Sequence, residues 1–150
     1  EGRFPLVYPP LGPTEIDVGR AILALPWVRS GKRAKEVYEK ACKAGLKSGP
    51  LWFKLGSTLY DGEFYDEAFE AFKRTVELSC ESIYVFAGTI WQGHVLDLLG
   101  RRDETLKFYQ KAKEMRIEGA MRHDQYGLVI NKNGLRSGSK ALFEEQTSKS

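Results

Sequence analysis

The sequence predicts an all-α fold, an α-solenoid of about four antiparallel helix-turn-helix units, and three observations lead there. Apolar residues recur at the spacing of a helix face along most of the chain. The aromatics Tyr38, Phe72, Tyr109 and Phe143 are separated by 34, 37 and 34 positions, and the small residues Ala34, Ala68, Thr105 and Ser139 keep the same three spacings. Ala41, Thr75 and Ala112 follow the first two, Gly56, Gly93 and Gly127 recur at 37 and 34, and Gly100 and Gly134 are again 34 apart. Agreement across side chains of different size and class marks an internal repeat rather than coincidence. The longer interval is an insertion, most simply placed at 79–84.

Taken in order, residues 1–13 read as an extended arm or linker, because Arg3 to Pro13 carries four of the six prolines and each disfavours helix before it. The repeat domain spans 14–146, with units at about 14–48, 49–82, 83–119 and 120–146 and a polar tail at 147–150. Thr14 and Asp17, three apart, predict a capping-box start for the first helix. That helix should stop or kink at Leu25, since Pro26 lacks a backbone donor and clashes with the preceding turn. Arg33 to Ala44, closed by Gly45, is its partner. In the second unit Ser48 caps a helix with Pro50 in its first turn. Leu51, Trp52, Leu55 and Leu59 form its buried face, and Gly62 turns the chain into a second helix from about Tyr65 to Ser79. The third unit pairs Ser82–Leu99 with Asp103–Met115 around Gly100. The fourth pairs Ala120–Lys132 with Ser137–Glu145 around Gly134. Small residues at Gly56, Gly93 and Gly127, facing Ala68, Thr105 and Ser139, let paired axes approach to about 8–10 Å. The aromatics would fill the wider space toward the next unit.

Composition bounds the function classes. The 150 residues carry 23 basic and 20 acidic side chains, a net charge of +3, with 42% apolar residues. Near-balanced charge excludes a disordered polyelectrolyte, and the absence of a long apolar run excludes a membrane span. A surplus of three charges is too small to announce nucleic acid. Cys42 and Cys80 could form at most one bridge and read as structural thiols at the ends of second helices. His94 and His123 stand without a carboxylate or cysteine at ligand spacing, so no metal site is expected. No phosphate-binding glycine loop, nucleophile elbow or paired-cysteine motif occurs, so neither enzyme activity nor a cofactor is expected. Arg29, Lys32, Arg33 and Lys35 read as a solvated turn. Glu1 stands where an initiator methionine would, and the chain is expected to be a processed product or a piece of something longer. The compartment is left open.

The segment Leu51–Leu78 carries a family resemblance. Trp52, Leu55 and Gly56, then Ala68, Phe72 and Leu78 resemble the signature of the tetratricopeptide repeat, a helix-turn-helix of about 34 residues. Its turn glycine, Gly62, comes one residue earlier than the family pattern has it, and Thr75 and Cys80 stand where alanine and proline are usual. The third unit keeps Gly93, Gly100, Tyr109 and Ala112, the fourth keeps Tyr126, Gly127, Gly134 and Phe143, and the first has Ile22 in the glycine position. The resemblance implies a right-handed superhelix whose first helices line a concave surface that holds a peptide or helix of a partner protein. Counting the groove-facing positions of that family gives Phe53, Ser57, Tyr60 and Asp61 from the second unit. Ala87, Ile90, His94, Asp97 and Leu98 follow from the third, and Met121, Asp124, Leu128, Asn131 and Lys132 from the fourth. Such a surface, mixed aromatic, apolar and weakly acidic, suits a peptide with apolar anchors and a basic group. The family's clamp for C-terminal carboxylates asks for lysine and asparagine where this chain has Phe53 and Ser57, Ile90 and His94, or Asp124 and Leu128, so that subtype is not expected. A pentatricopeptide-like RNA reader is disfavoured by the spacing and the charge balance. Two alternatives to a peptide-binding scaffold stay open: an oligomerisation module pairing through an open end of the stack, and a regulatory domain of a larger protein.

Overall fold

The computed structural model describes residues 10–26, 31–80 and 82–115. Among them are six α-helices and no strand. They are α1 (Pro13–Leu23), α2 (Gly31–Ala44), α3 (Gly49–Asp61), α4 (Tyr65–Leu78), α5 (Ser82–Leu98) and α6 (Arg102–Glu114). The expected helices over 120–132 and 137–145 lie outside the described residues, and so does the arm over 1–9. None of the described helices is long and apolar enough to cross a membrane.

Local chemistry explains most helix boundaries. The first helix begins one residue earlier than Thr14. Gly12 is its extended N-cap, Pro13 takes the first position, and Glu15 Oε1 accepts the Gly12 N–H at 2.9 Å. Thr14 and Asp17, expected to form the cap, are exposed residues inside the first turns. Proline at the first helical position explains the shift, because its fixed φ and missing donor suit it there. The helix ends at Leu23, two residues before Leu25, since Pro26 disfavours helical backbone ahead of it. Gly45, at φ 64°, closes α2 as expected, with the Leu46 N–H returning to Ala41 O at 3.2 Å. Ser48 caps α3, its Oγ accepting the Leu51 N–H over a long 3.4 Å, and Pro50 lies in the first turn. Gly100, at φ 81°, precedes α6, whose start Arg101 and Glu104 brace with a 2.7 Å ion pair.

Consecutive helices pack as antiparallel pairs, and the same contact recurs in two of them. A β-carbon on Gly56 of α3 would lie 2.9 Å from Phe72 Cε1 of α4, and one on Gly93 of α5 would lie 2.7 Å from Tyr109 Cε1 of α6. Both partners are 16 residues on. Glycine thus lets an aromatic ring approach the facing helix closely. The rings expected to fill space toward the next unit therefore cover the crossing glycine of their own pair first. Phe72 does both, stacking on Trp91 of α5 with centroids 5.7 Å apart.

Alternate helices run in the same direction. Along α1 and α3, Glu15 Oε2 accepts the Lys47 N–H, Gly19 faces Leu51, and Leu25 O accepts from Lys54. Along α2 and α4, Lys35 pairs with Glu67 at 3.4 Å and Arg74 Nη1 donates to Cys42 Sγ at 3.6 Å. Both α2–α4 links join residues 32 apart. Along α3 and α5, Phe53 meets Tyr84 and Tyr60 meets His94. The core runs through all of these elements. Trp52 is its centre, wholly buried, with Nε1 donating to Leu46 O at 2.8 Å and the Arg74 guanidinium 4.8 Å from its ring. Cys42 and Cys80 are half-buried free thiols.

Candidate functional site

The odd-numbered helices α1, α3 and α5 touch one another side by side, and the sequence-predicted site residues divide between two halves of that face. In the first half, the opening turns of α3 and α5 and the end of α1 enclose a hollow of about 470 Å³. Pro50, Leu51, Phe53 and Lys54 of α3 line it. Ile83, Tyr84 and Ala87 of α5 and Leu23 of α1 complete the described lining. Leu23 is 67% exposed. Phe53 and Tyr84 meet edge to face with centroids 5.8 Å apart, and Phe53 also tilts against Phe72 at 5.6 Å. The ring is therefore held by its neighbours rather than free to collapse into the space.

Lys54 is the only charged side chain among the described residues lining the hollow. Its Nζ donates to Leu25 O at 2.9 Å and more weakly to Leu23 O at 3.4 Å. The ammonium therefore ties α3 to the carbonyl end of α1, where a cation complements the helix dipole. Burial among apolar neighbours lowers its pKa from the ordinary lysine value. Lys54 was not a candidate from sequence. Its neighbour Phe53 was, and Ala87 was, both by counting family positions.

The second half of the face is filled. Tyr60 of α3 and His94 of α5 share a 2.9 Å hydrogen bond between Oη and Nε2. Their rings are 5.1 Å apart, and Trp91 lies edge-on to both. Tyr60 is half-buried, but His94 and Ile90 are 0% exposed. Both therefore stand in the packed interior and not on an open surface. The reason lies in α5 itself, whose residues from Val85 to Leu96 are all buried; a helix apolar on every side has no face to offer solvent. Ser57 is also buried, its Oγ returned to Phe53 O at 3.0 Å. Asp97 accepts from Arg102 at 2.9 Å across the α5–α6 turn. Asp61 is exposed at the end of α3, with partial desolvation raising its carboxyl pKa. Asp124, Leu128, Asn131 and Lys132 lie outside the described residues.

Among the described residues, no group of three histidine, cysteine, aspartate or glutamate side chains is placed to hold a metal ion. The described lining of the hollow is apolar but for Lys54. Compared with known proteins, the chain matches no family model, and no curated protein or solved structure matches it.

Proposed function

We propose that this chain is a tetratricopeptide-like helical-repeat module that docks a peptide segment of a partner protein on the face shared by α1, α3 and α5. The supporting observation is the hollow of about 470 Å³ between parallel first helices, with Phe53, Tyr84 and the exposed Leu23 around it. Its size falls within the roughly 300–1,000 Å³ of sites that take small ligands or anchoring side chains. The recurring glycine-on-ring contact and the alternation of helix directions support the repeat reading, in which stacked pairs wind into a right-handed superhelix with this face on its concave side.

Panning a random dodecapeptide library against the purified chain tests the assignment. Enriched peptides should carry aliphatic or aromatic anchors and lose about tenfold in affinity for Tyr84→Ala, equivalent to roughly 1.4 kcal/mol. Helical circular dichroism should be unchanged in that variant. Selected peptides that bind Tyr84→Ala as tightly as the parent would remove the hollow from the binding site.

One observation favours a second reading. Ile16 and Leu23, seven residues apart on α1, are 40% and 67% exposed, so α1 presents an aliphatic edge that a second copy of the chain could cover. Sedimentation equilibrium separates the two readings, because a monomer at all concentrations leaves the pairing of copies without support.

A further inference from the structure

We propose that the apolar arm ahead of α1, Phe4–Tyr8, is the resident occupant of the hollow, so that a partner peptide binds by displacing it. The inference rests on the peptide-docking reading and deepens it, because the site is then closed by its own chain until a better ligand competes. Residues 4–12 carry Phe4, Leu6, Val7, Tyr8 and Leu11 among three prolines, and no charged side chain. The described lining that they meet is aromatic at Phe53 and Tyr84 and aliphatic at Leu23, Leu51 and Ile83. An uncharged arm makes no demand on the ionic groups at or beside the hollow, Lys54 included.

Position and reach favour this occupant. Leu11 is partly buried against the core, so the described end of the arm is already seated on the domain. The 2.7 Å bond from the Lys47 N–H to Glu15 sets the first turn of α1 beside the start of α3, three residues ahead of Pro50. Phe4 is eight residues from Gly12, a reach of up to roughly 25 Å at the rise of a polyproline helix. The 11 residues of α1 span roughly 16 Å, so the arm is long enough to return along α1 as far as Leu23. Proline at 5, 9 and 10 presets the backbone for such a helix, which lowers the entropy lost on docking to an aromatic-lined hollow. Residues three apart then share an edge, and Tyr8 falls on the side of Leu11. A tether this short holds the arm at a millimolar effective concentration. Contacts too weak to retain a free peptide therefore keep the hollow occupied, and a free ligand loses affinity to that competition.

Fluorescence anisotropy with a labelled, blocked peptide of residues 3–10 tests this on the full chain and on Phe4→Ser/Leu6→Ser/Tyr8→Ser, with helical circular dichroism as the folding control. The peptide should bind the variant about tenfold tighter than the unaltered chain, and adding Tyr84→Ala should abolish that gain. Photo-cross-linking gives a second readout that needs no weakened arm. With p-benzoylphenylalanine in place of Phe4, the full chain should cross-link within one molecule to residues 50–54 or 83–87. Equal peptide affinity for the unaltered chain and the variant, or a gain that survives Tyr84→Ala, overturns the arm as occupant. Cross-links confined to other residues, or joining two copies, do the same. If the arm peptide fails to bind the variant while library-selected peptides bind it, the arm inference falls and the docking site stands. If neither binds the variant at millimolar concentration, the docking reading itself falls.

Discussion

Glu63 is the one described non-glycine residue with positive φ, at 66°. It sits in the α3–α4 turn, where the family pattern puts glycine and this chain places its glycine one residue earlier. Gly62 has its own constraint, since a β-carbon there would lie 2.4 Å from Gly31 Cα. Close approach of α2 thus fixes Gly62, and Glu63 is left to carry the left-handed conformation. That conformation costs an L-residue roughly 1–2 kcal/mol. Glu63→Gly should therefore stabilise the chain by about 1 kcal/mol, less the added freedom of the unfolded state; an unchanged or lowered urea midpoint would contradict this. A pH effect follows from Lys54, whose pKa is lowered by burial. Between the depressed folded value and the ordinary 10.5 the unfolded chain holds a proton that the folded chain does not, so this residue makes stability rise with pH across that window. Below it the charged ammonium is present in both states and its desolvation opposes folding. Carbon-13 NMR of the lysine Cε should show Lys54 titrating ahead of the exposed lysines. Titration together with the exposed lysines would refute the desolvation.

At the scale of the helices, the Gly56–Phe72 and Gly93–Tyr109 contacts carry the pairing of α3 with α4 and of α5 with α6. Gly56→Ala forces a methyl group to 2.9 Å from a ring that Phe53 and Trp91 hold on other sides. Overpacking of this kind costs about 1–3 kcal/mol. Gly56→Ala/Phe72→Leu should be less destabilised than the sum of the single variants, because the smaller side chain makes room for the methyl. Additive denaturation free energies would show that the contact is not shared. These crossing glycines were legible in the sequence because they recur at the repeat interval. Gly31, Gly49 and Gly88 approach backbone or side-chain atoms as closely, at 2.4, 2.0 and 2.8 Å from an added β-carbon. They were not legible as contacts: Gly31 and Gly88 meet the neighbouring pair, Gly49 meets Ser79 at the far end of its own pair, and none of these contacts recurs at the repeat interval. The start of α3 was readable from Ser48 and Pro50, and the end of α2 from Gly45. The position of Thr14 was misjudged because two overlapping cap patterns compete there, and Pro13 decides between them. At the site, Phe53 came from counting family positions. Lys54 depends on where α1 ends, which no local signal on α3 records. Ile90 and His94 were placed on a surface by the same counting, against a visible contrary signal: the stretch IYVFAGTIWQGHVL is apolar on every side.

Over the whole molecule, each helix pair touches mainly its sequence neighbours, so stability should be distributed as in a one-dimensional stack. The inner elements are tied most densely. Phe72 and Trp91 stack between α4 and α5, Gly88 lies against Val76, and Gly56 lies under Phe72. Toward the other end, α1 packs on α2 and places Val18 and Ile22 in the core, and three links join it to α3: Gly19 against Leu51, the Glu15 bond to the Lys47 N–H and the Lys54 strut. Two of these three links are exposed or partly exposed polar contacts, which contribute little individually in water. Native-state hydrogen exchange should therefore show α1 opening at a lower free energy than α3, α4 and α5, with its amides exchanging on the order of a hundredfold faster in a sub-global step. Removing the strut with Lys54→Met should widen that gap. The amides of α3–α5 should change far less, since Trp52, Leu55 and Leu59 stay packed in the core. The hollow lies on the boundary between the loosely tied element and the tightly tied ones, so a peptide seated there should slow exchange in α1 more than anywhere else. A single common opening free energy from α1 to α5, with or without peptide, would mean that the described helices unfold as one unit and that occupancy of the hollow is not coupled to the end of the stack.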